Sequence, residues 1–355
     1  MNKKLLTLAV GAALSAAPML AQADTVLYGL LHLSIDAPDA DGAGDDDTNL
    51  VSNASRLGVK GSEDLGNGLA AIYQYETRVN VSESGDIFDG TRNSFLGLKG
   101  GFGTVLFGRH DTPMKDVARA YDLFGDTVGD SRNMLQTPGA AYHFDQRWNS
   151  TVRYMTPKMG GFEVEGQYSF DRGSAAGASS NDDNDADGFS VNARYDAGMF
   201  DVMAAYEVAN RAVAAPGDQD DTSAFRLAGG ITLIDALRIN ALWQTVSDEG
   251  FNEGQDRDIW GIGAAYSMGN NRIKAQWYTA DDSDAAGADD GADMWAIGWD
   301  HMLSKRTRAY VAYASTDNED GSTRTPWGGG GHQLGVVAGA GSNPSIFSVG
   351  MVHKF

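Results

Sequence analysis

Apolar and polar residues alternate along most of this chain, and a period of two places each set on one face of a strand. Near its end Phe347, Val349, Met351, His353 and Phe355 fall on one side, with Ser348, Gly350, Val352 and Lys354 on the other. The same pattern sets Phe162, Val164, Tyr168 and Phe170 against Glu163, Glu165, Gln167 and Ser169, and Leu237, Ile239, Ala241 and Trp243 against Arg238, Asn240 and Gln244. Trp295, Ile297 and Trp299, and Ala309, Val311 and Tyr313, continue it. The polar face is repeatedly charged, which the core of a soluble sandwich would not accommodate because buried charge is expensive. Aromatic residues fall near the ends of the apolar faces, as membrane-interface girdles require. The prediction is an all-β, transmembrane antiparallel β-barrel of about 16 strands, wide enough to hold water. The set Phe347, Val349, Met351, His353 and Phe355 is its closing, membrane-insertion strand. Short turns (Gly66-Asn67, Ala197-Gly198) alternate with long acidic loops at Asp36–Asp47, Asn181–Asp187, Asp218–Asp221 and Asp281–Asp293.

Two segments break the pattern. Asp111–Gly139 has no strand alternation and is bracketed by Pro113 and Pro138. Met114–Phe124 within it suits a short helix, and residues 112–139 are expected to fold inward as a constriction loop, since long irregular segments are usually functional. Residues 1–23 have a basic start (Lys3, Lys4), an apolar run from Leu5 to Ala17, and Ala21-Gln22-Ala23 before Asp24. That is the pattern of a cleaved signal peptide, leaving 24–355 as one barrel domain.

Composition sharpens this. Of 355 residues, 45 are Gly and 8 Pro, Cys is absent, and Tyr, Trp and Phe total 34, which suits many short strands and rules out disulfides. Mean hydropathy is −0.32, as expected where only alternate residues meet lipid. Formal net charge is −21, or −23 once Lys3 and Lys4 are removed with the leader. Such acidity argues against nucleic acid, whose phosphates need Lys and Arg. No metal site is expected: the six His lack H-x-x-x-H spacing. Asp183-x-Asp185-x-Asp187-Gly188 begins like an EF-hand loop but has Arg194 at the twelfth position. No G-x-S-x-G or G-x-x-x-x-G-K-[ST] motif is present, so neither an enzyme nor a cofactor is expected.

Four stretches resemble Gram-negative general porins. They are Ser55–Gly68 (SRLGVKGSEDLGNG), Arg92–Lys99 running into Gly103–Arg109, Arg147–Tyr154 followed by Gly160-Gly161-Phe162, and Val349–Phe355. The resemblance implies a homotrimer of sixteen-stranded barrels in the outer membrane, in contact with lipid and lipopolysaccharide, inserted by the barrel-assembly machinery and passing small hydrophilic solutes and ions. It further implies a third loop whose carboxylates face wall arginines across the lumen. By position Arg56, Arg92 and Arg147 match the basic wall, and Asp116, Asp122 and Asp126 the acidic loop. Parity agrees for two: Arg56 opposes Leu57 and Val59, and Arg147 opposes Trp148, Val152 and Tyr154. The chain departs from the family in having Leu30 where some members have Lys, and Leu123-Phe124-Gly125-Asp126 in place of a Pro-Glu-Phe-Gly-Gly run. With the acidic loops, these departures lean toward cation preference. A substrate-specific channel and a structural or adhesive barrel are the competing readings.

Overall fold

The computed structural model describes residues 24–42, 46–82, 87–173, 186–211, 221–329, 332 and 334–355. The proposed leader, and Asp183, Asp185 and Asp218–Asp220 of the acidic runs, lie outside these residues. The first eight strands are β1 (Asp24–Asp39), β2 (Asn49–Ser52 and Arg56–Gly66), β3 (Leu69–Val79), β4 (Phe88–Thr91 and Ser94–Gly100), β5 (Gly103–Asp111), β6 (Arg147–Met155), β7 (Phe162–Ser169) and β8 (Gly188–Asp196). The second eight are β9 (Phe200–Asn210), β10 (Asp221–Ile234), β11 (Leu237–Ser247), β12 (Arg257–Met268), β13 (Asn271–Ala280), β14 (Ala292–Met302), β15 (Thr307–Asn318) and β16 (Ser345–Lys354). Each pairs antiparallel with its neighbours in sequence, and β16 pairs with β1, so the described residues form a closed sixteen-stranded barrel.

At the seam Gly29 and Phe355 exchange backbone hydrogen bonds of 3.0 and 3.1 Å. A Cβ at Gly29 would lie 2.3 Å from the Phe355 ring, so the glycine makes room for the closing aromatic. Phe347, Val349, Met351 and Phe355 are exposed on the outer face, as alternation predicts, and His353 shares that face. So are Trp260, Ile262, Trp277, Trp295, Ile297 and Trp299. A belt of this kind is stable only against lipid or another apolar surface. No helix among the described residues is long and apolar enough to cross a membrane.

The inner face is not uniform. On β9–β15 it presents small residues, among them Ala205, Ala224, Ala228, Ala265, Ala296, Ala312 and Ala314, all buried. The space they leave is filled by the 112–146 segment, which runs inside the barrel from β5 to β6 and so extends past residue 139. Its helix α1 (Pro113–Tyr121) begins where Thr112 accepts a hydrogen bond from the Lys115 amide and Pro113 takes the first turn. Met114, Val117, Ala118 and Tyr121 form its apolar stripe, buried with Met203, Leu242, Ile259 and Tyr278 of the wall. A short second helix, α2 (Arg132–Leu135), which alternation did not predict, follows. Each fully buried Met, Val or Tyr contributes about 1.5–3 kcal/mol, so the loop is a packed element of the barrel.

Candidate functional site

Inward polar side chains peg the loop to the covered wall. Asn192 Nδ2 donates to Pro113 O (3.0 Å), Asn240 Nδ2 to Tyr121 O (2.9 Å), and Lys274 Nζ to Leu123 O (2.9 Å). Gln276 donates to Asp122 Oδ1 (2.9 Å) and Gly129 O (2.7 Å). Arg226 donates to Met114 O and forms a bidentate pair with Asp145 at 2.5 and 2.7 Å, with both side chains at 0% exposure. Described residues of the last long loop also bond this segment. Pro326 O accepts from Gly129 N, and Arg324 donates to the carbonyls of Met134 and Gln136.

The opposite wall, on β2–β6, carries the charges that face the loop. Arg56 lies 3.8 Å from Asp126, so the wall arginine and the loop carboxylate expected from sequence meet across the lumen. Asp126 sits at φ 59°, a left-handed conformation that Asp tolerates and that turns the loop tip. Burial raises its carboxyl, but Arg132 and Arg56 together hold it well below the usual carboxylate range. Arg92 pairs with Glu76 at 2.6 Å, in the break that divides β4. Glu76 also accepts from Tyr28 (2.9 Å) and lies 4.0 Å from Arg56. Arg147 pairs with Asp111 at 2.9 Å and donates to Asn93.

Two expected loop carboxylates do other things. Asp122 does not face the arginine wall: it accepts from Phe124 N, Gln276 Nε2 and Ser131 N, and so folds the loop tip onto β13. Burial, then the neighbouring Asp130 charge, pushes it up to about 7. Asp116 reaches the wall, but its partner is Arg153 (2.6 Å), which also binds Glu165. One parity assignment is corrected as well. Trp148 lies inside, donating to Tyr142 Oη at 3.2 Å, because pairing shifts register at Gly108/His110 and Ser150 takes φ 48°.

Sequence reasoning missed the centre of the site. Asp111, 1% exposed, holds Lys115 (3.0 Å), Arg119 (3.0 Å) and Arg147 (2.9 Å) at once. It missed Arg132 too, bound to Asp126 and Asp130. The run Asp111-Thr112-Pro113 at a strand-to-helix junction was the available signal, since it fixes Asp111 and α1 within one turn of each other. Leu30, where some relatives carry Lys, is 9% exposed and packs in an apolar cluster with Phe124, Val128 and Trp327. Among the described residues, three carboxylates of the outer loops, Asp282, Asp289 and Glu319, have ligand atoms within 4.8 Å of one another and are exposed.

The arrangement is a water-facing passage bounded by fixed charges and a packed inner loop, with the seam of the barrel closed around it. The Gram-negative porin family matches residues 7–321. The chain is a Gram-negative porin. Outer membrane porin protein 32 of Delftia acidovorans is 30% identical over 368 residues, covering all of both chains. The major outer membrane protein P.IB of Neisseria meningitidis serogroup B is 34% identical over 180 residues, 48% of this chain and 50% of its own. Among solved structures, the anion-selective porin from Comamonas acidovorans matches with TM-score 0.75 and 27% identity, over 94% of this porin and 100% of that chain. OmpF of Salmonella typhi shares the fold at TM-score 0.71 and 16% identity, over 93% of this porin and 97% of that chain. This porin therefore forms a water-filled outer-membrane channel for passive diffusion of small hydrophilic solutes and ions.

Proposed function

We propose that the channel prefers anions, and that Arg56, Arg92, Arg147 and Arg119 set this preference opposite Asp126. The observation that carries the reading is the Asp111 hub: one buried carboxylate shared by three cations, leaving local positive charge. Arg119, 47% exposed, is the face of that hub turned to water. Glu76 is likewise covered by Arg56 and Arg92. Charge displayed within about 8 Å of a passing ion acts on it at physiological salt, while more distant charge is screened. The eyelet thus outweighs the acidic outer loops, which reverses the cation preference expected from net charge. The similar Comamonas protein is described as anion-selective, in keeping with this.

The test is the reversal potential of the refolded protein across a KCl gradient. An anion-signed potential is expected. Arg56→Ala with Arg92→Ala should shift the permeability ratio toward cations on the order of fivefold, from losing roughly 0.5 kcal/mol of attraction at each of the two charges. A cation-signed wild-type potential overturns the reading. We further propose residues 1–23 as the signal peptide, assembly as a homotrimer, and contact with lipid, lipopolysaccharide and the barrel-assembly machinery. The continuous apolar outer face supports the lipid and trimer contacts. Cross-linking of the protein in outer-membrane vesicles should give a three-chain product.

A further inference from the structure

Beneath the loop, on the side of the short turns, the inner wall of β11–β15 carries a second set of cations. Lys274, whose Nζ pegs Leu123 O, is buried and lies 3.3 Å from Asp300 Oδ1. Arg308 takes the other oxygen of the same carboxylate, also at 3.3 Å. Asp300 is buried, so both its oxygens are spent. Arg272 stands directly opposite Asp300 in the β13–β14 pairing, nearer the short turns than Lys274. It shares the inner face with Lys274, since Ile273 between them is exposed on the outside. Among the described residues its guanidinium makes no hydrogen bond and no ion pair. Arg272 is also partly exposed, so its donors are unspent and reachable from the water of the lumen.

The surroundings of Arg272 are positive. The charged groups that act on it are Asp300, Arg308 and Arg238. Arg238 is matched by Asp201 at 2.8 Å. Around Asp300, three cations (Arg272, Lys274 and Arg308) meet one carboxylate, which leaves two positive charges. There is room for an ion as well. β12 separates Arg238 from Arg272, and it turns Ala265 and Ser267 inward, opposite Arg238 and Arg272 in the pairing; neither is long enough to fill the gap. On the other side only β14 separates Arg272 from Arg308, whose guanidinium lies over the Tyr310 ring at 5.6 Å. Neighbouring strands are about 4.8 Å apart, so one small ion is within reach of both side chains. A guanidinium presents its donors as a fork that matches two oxygens of one anion, and such charge-assisted bonds are about twice as strong as neutral ones. A halide has one atom to offer that fork. Two positive charges and unspent forked donors together select an oxyanion with two charges.

We propose that this basin is a binding site for small doubly charged oxyanions, seated on Arg272 with Arg308 and Arg238 at its sides. It lies on the wall opposite the eyelet arginines and uses none of them, so it goes beyond the selectivity reading above and does not depend on it. An oxyanion seated there cancels the two positive charges on the short-turn side of the loop and so lowers the chloride current.

The test uses sulfate as probe and methanesulfonate, which has a similar tetrahedral head with a single charge, as comparator. Each is added at matched ionic strength to the refolded protein in a planar bilayer, and KCl conductance is followed. Sulfate should lower conductance saturably, at a half-effective concentration about tenfold below that of methanesulfonate. Arg272→Gln removes the charge and the fork without stranding a carboxylate, since Asp300 keeps Lys274 and Arg308. It should raise the half-effective sulfate concentration about tenfold. Arg272→Lys keeps the charge and loses the fork, and should raise it about threefold. Heat-modifiable migration shows that each variant is folded. A non-saturable response, equal responses to the two anions, or a sulfate response unchanged in the folded variants overturns the site. Loss of the sulfate response in Arg56→Ala with its retention in Arg272→Gln overturns it too, because sulfate then acts in the eyelet. A cation-signed KCl reversal potential with an Arg272-dependent sulfate response overturns the selectivity reading and leaves the site standing.

Discussion

The two halves of the pore wall are made from the same pattern and do opposite work. On β2–β6 the inward arginines pair with carboxylates of the loop or of the wall itself: Arg56 with Asp126, Arg92 with Glu76, Arg147 with Asp111. On β8–β14 the inward polar residue is a peg: Asn192, Arg226, Asn240, Lys274 and Gln276 bond loop backbone or its carboxylates. What separates the halves is the company each residue keeps. The pegs stand among alanines and glycines, and the space those leave is occupied by the loop. On the first wall Arg56 reaches across the lumen to the loop; on the covered wall Arg226 is neutralised, desolvated and structural.

The sharpest way to break the comparison is Arg226→Met. If Arg226 is a peg, its removal leaves Asp145 buried without a counter-charge, at a cost of about 3–5 kcal/mol. The loop should detach, seen as protease cleavage within 112–146 and a larger single-channel conductance. Adding Asp145→Leu removes the stranded charge and should restore most of the loss. Conductance and protease resistance unchanged in Arg226→Met would place Arg226 with the field-bearing residues and dissolve the distinction.

This division explains what could be read beforehand. The barrel was legible because alternation needs only lipid on one side, and outward Trp260, Trp277, Trp295 and Phe347 obey it. Arg56, Arg92 and Arg147 were legible because they sit on or beside strands whose register carries over. Asp122 was not, since an irregular loop has no period to fix which way a carboxylate points; Asp116, on α1, reaches a wall arginine, but that arginine is Arg153, which sequence reasoning did not name. Trp148 failed for a related reason: one left-handed residue, Ser150, resets parity locally. The inward alanines of β9–β15 were in view as a signal that something packs there, but they read as weak strand residues until the loop is seen against them.

A subtler separation is by pH. Asp122 anchors the loop to the covered wall with its carboxyl raised to about 7 by burial and by Asp130. The usual unfolded value is about 3.9. A carboxyl raised on folding contributes stability that is complete below the unfolded value and is lost as pH rises through the folded one. The loop anchorage should therefore weaken between about pH 4 and 7, and Asp122→Asn should flatten that slope. Asp126, facing the arginine wall, is held well below the usual range by Arg132 and Arg56. Its contribution is present above about pH 4 and is lost only in strong acid, so it should leave this window flat. Protease protection of the loop, measured from pH 4 to 8, checks both. A slope that survives Asp122→Asn would mean another group carries it.

The smallest expected effect concerns the outer loops. Asp282 and Asp289 are exposed and close to Glu319, so they contribute to the acidic mouth without touching the eyelet. The Debye length is about 30 Å at 0.01 M salt and about 3 Å at 1 M. Neutralising both with Asp282→Asn and Asp289→Asn should then move the reversal potential a little toward anions in dilute salt and leave it unchanged at 1 M. Arg56→Ala should instead keep part of its effect at high salt, because its partner lies within 3.8 Å and the pair is partly desolvated. Equal salt dependence in the two variants would mean that the mouth, and not the arginine wall, decides which ions enter.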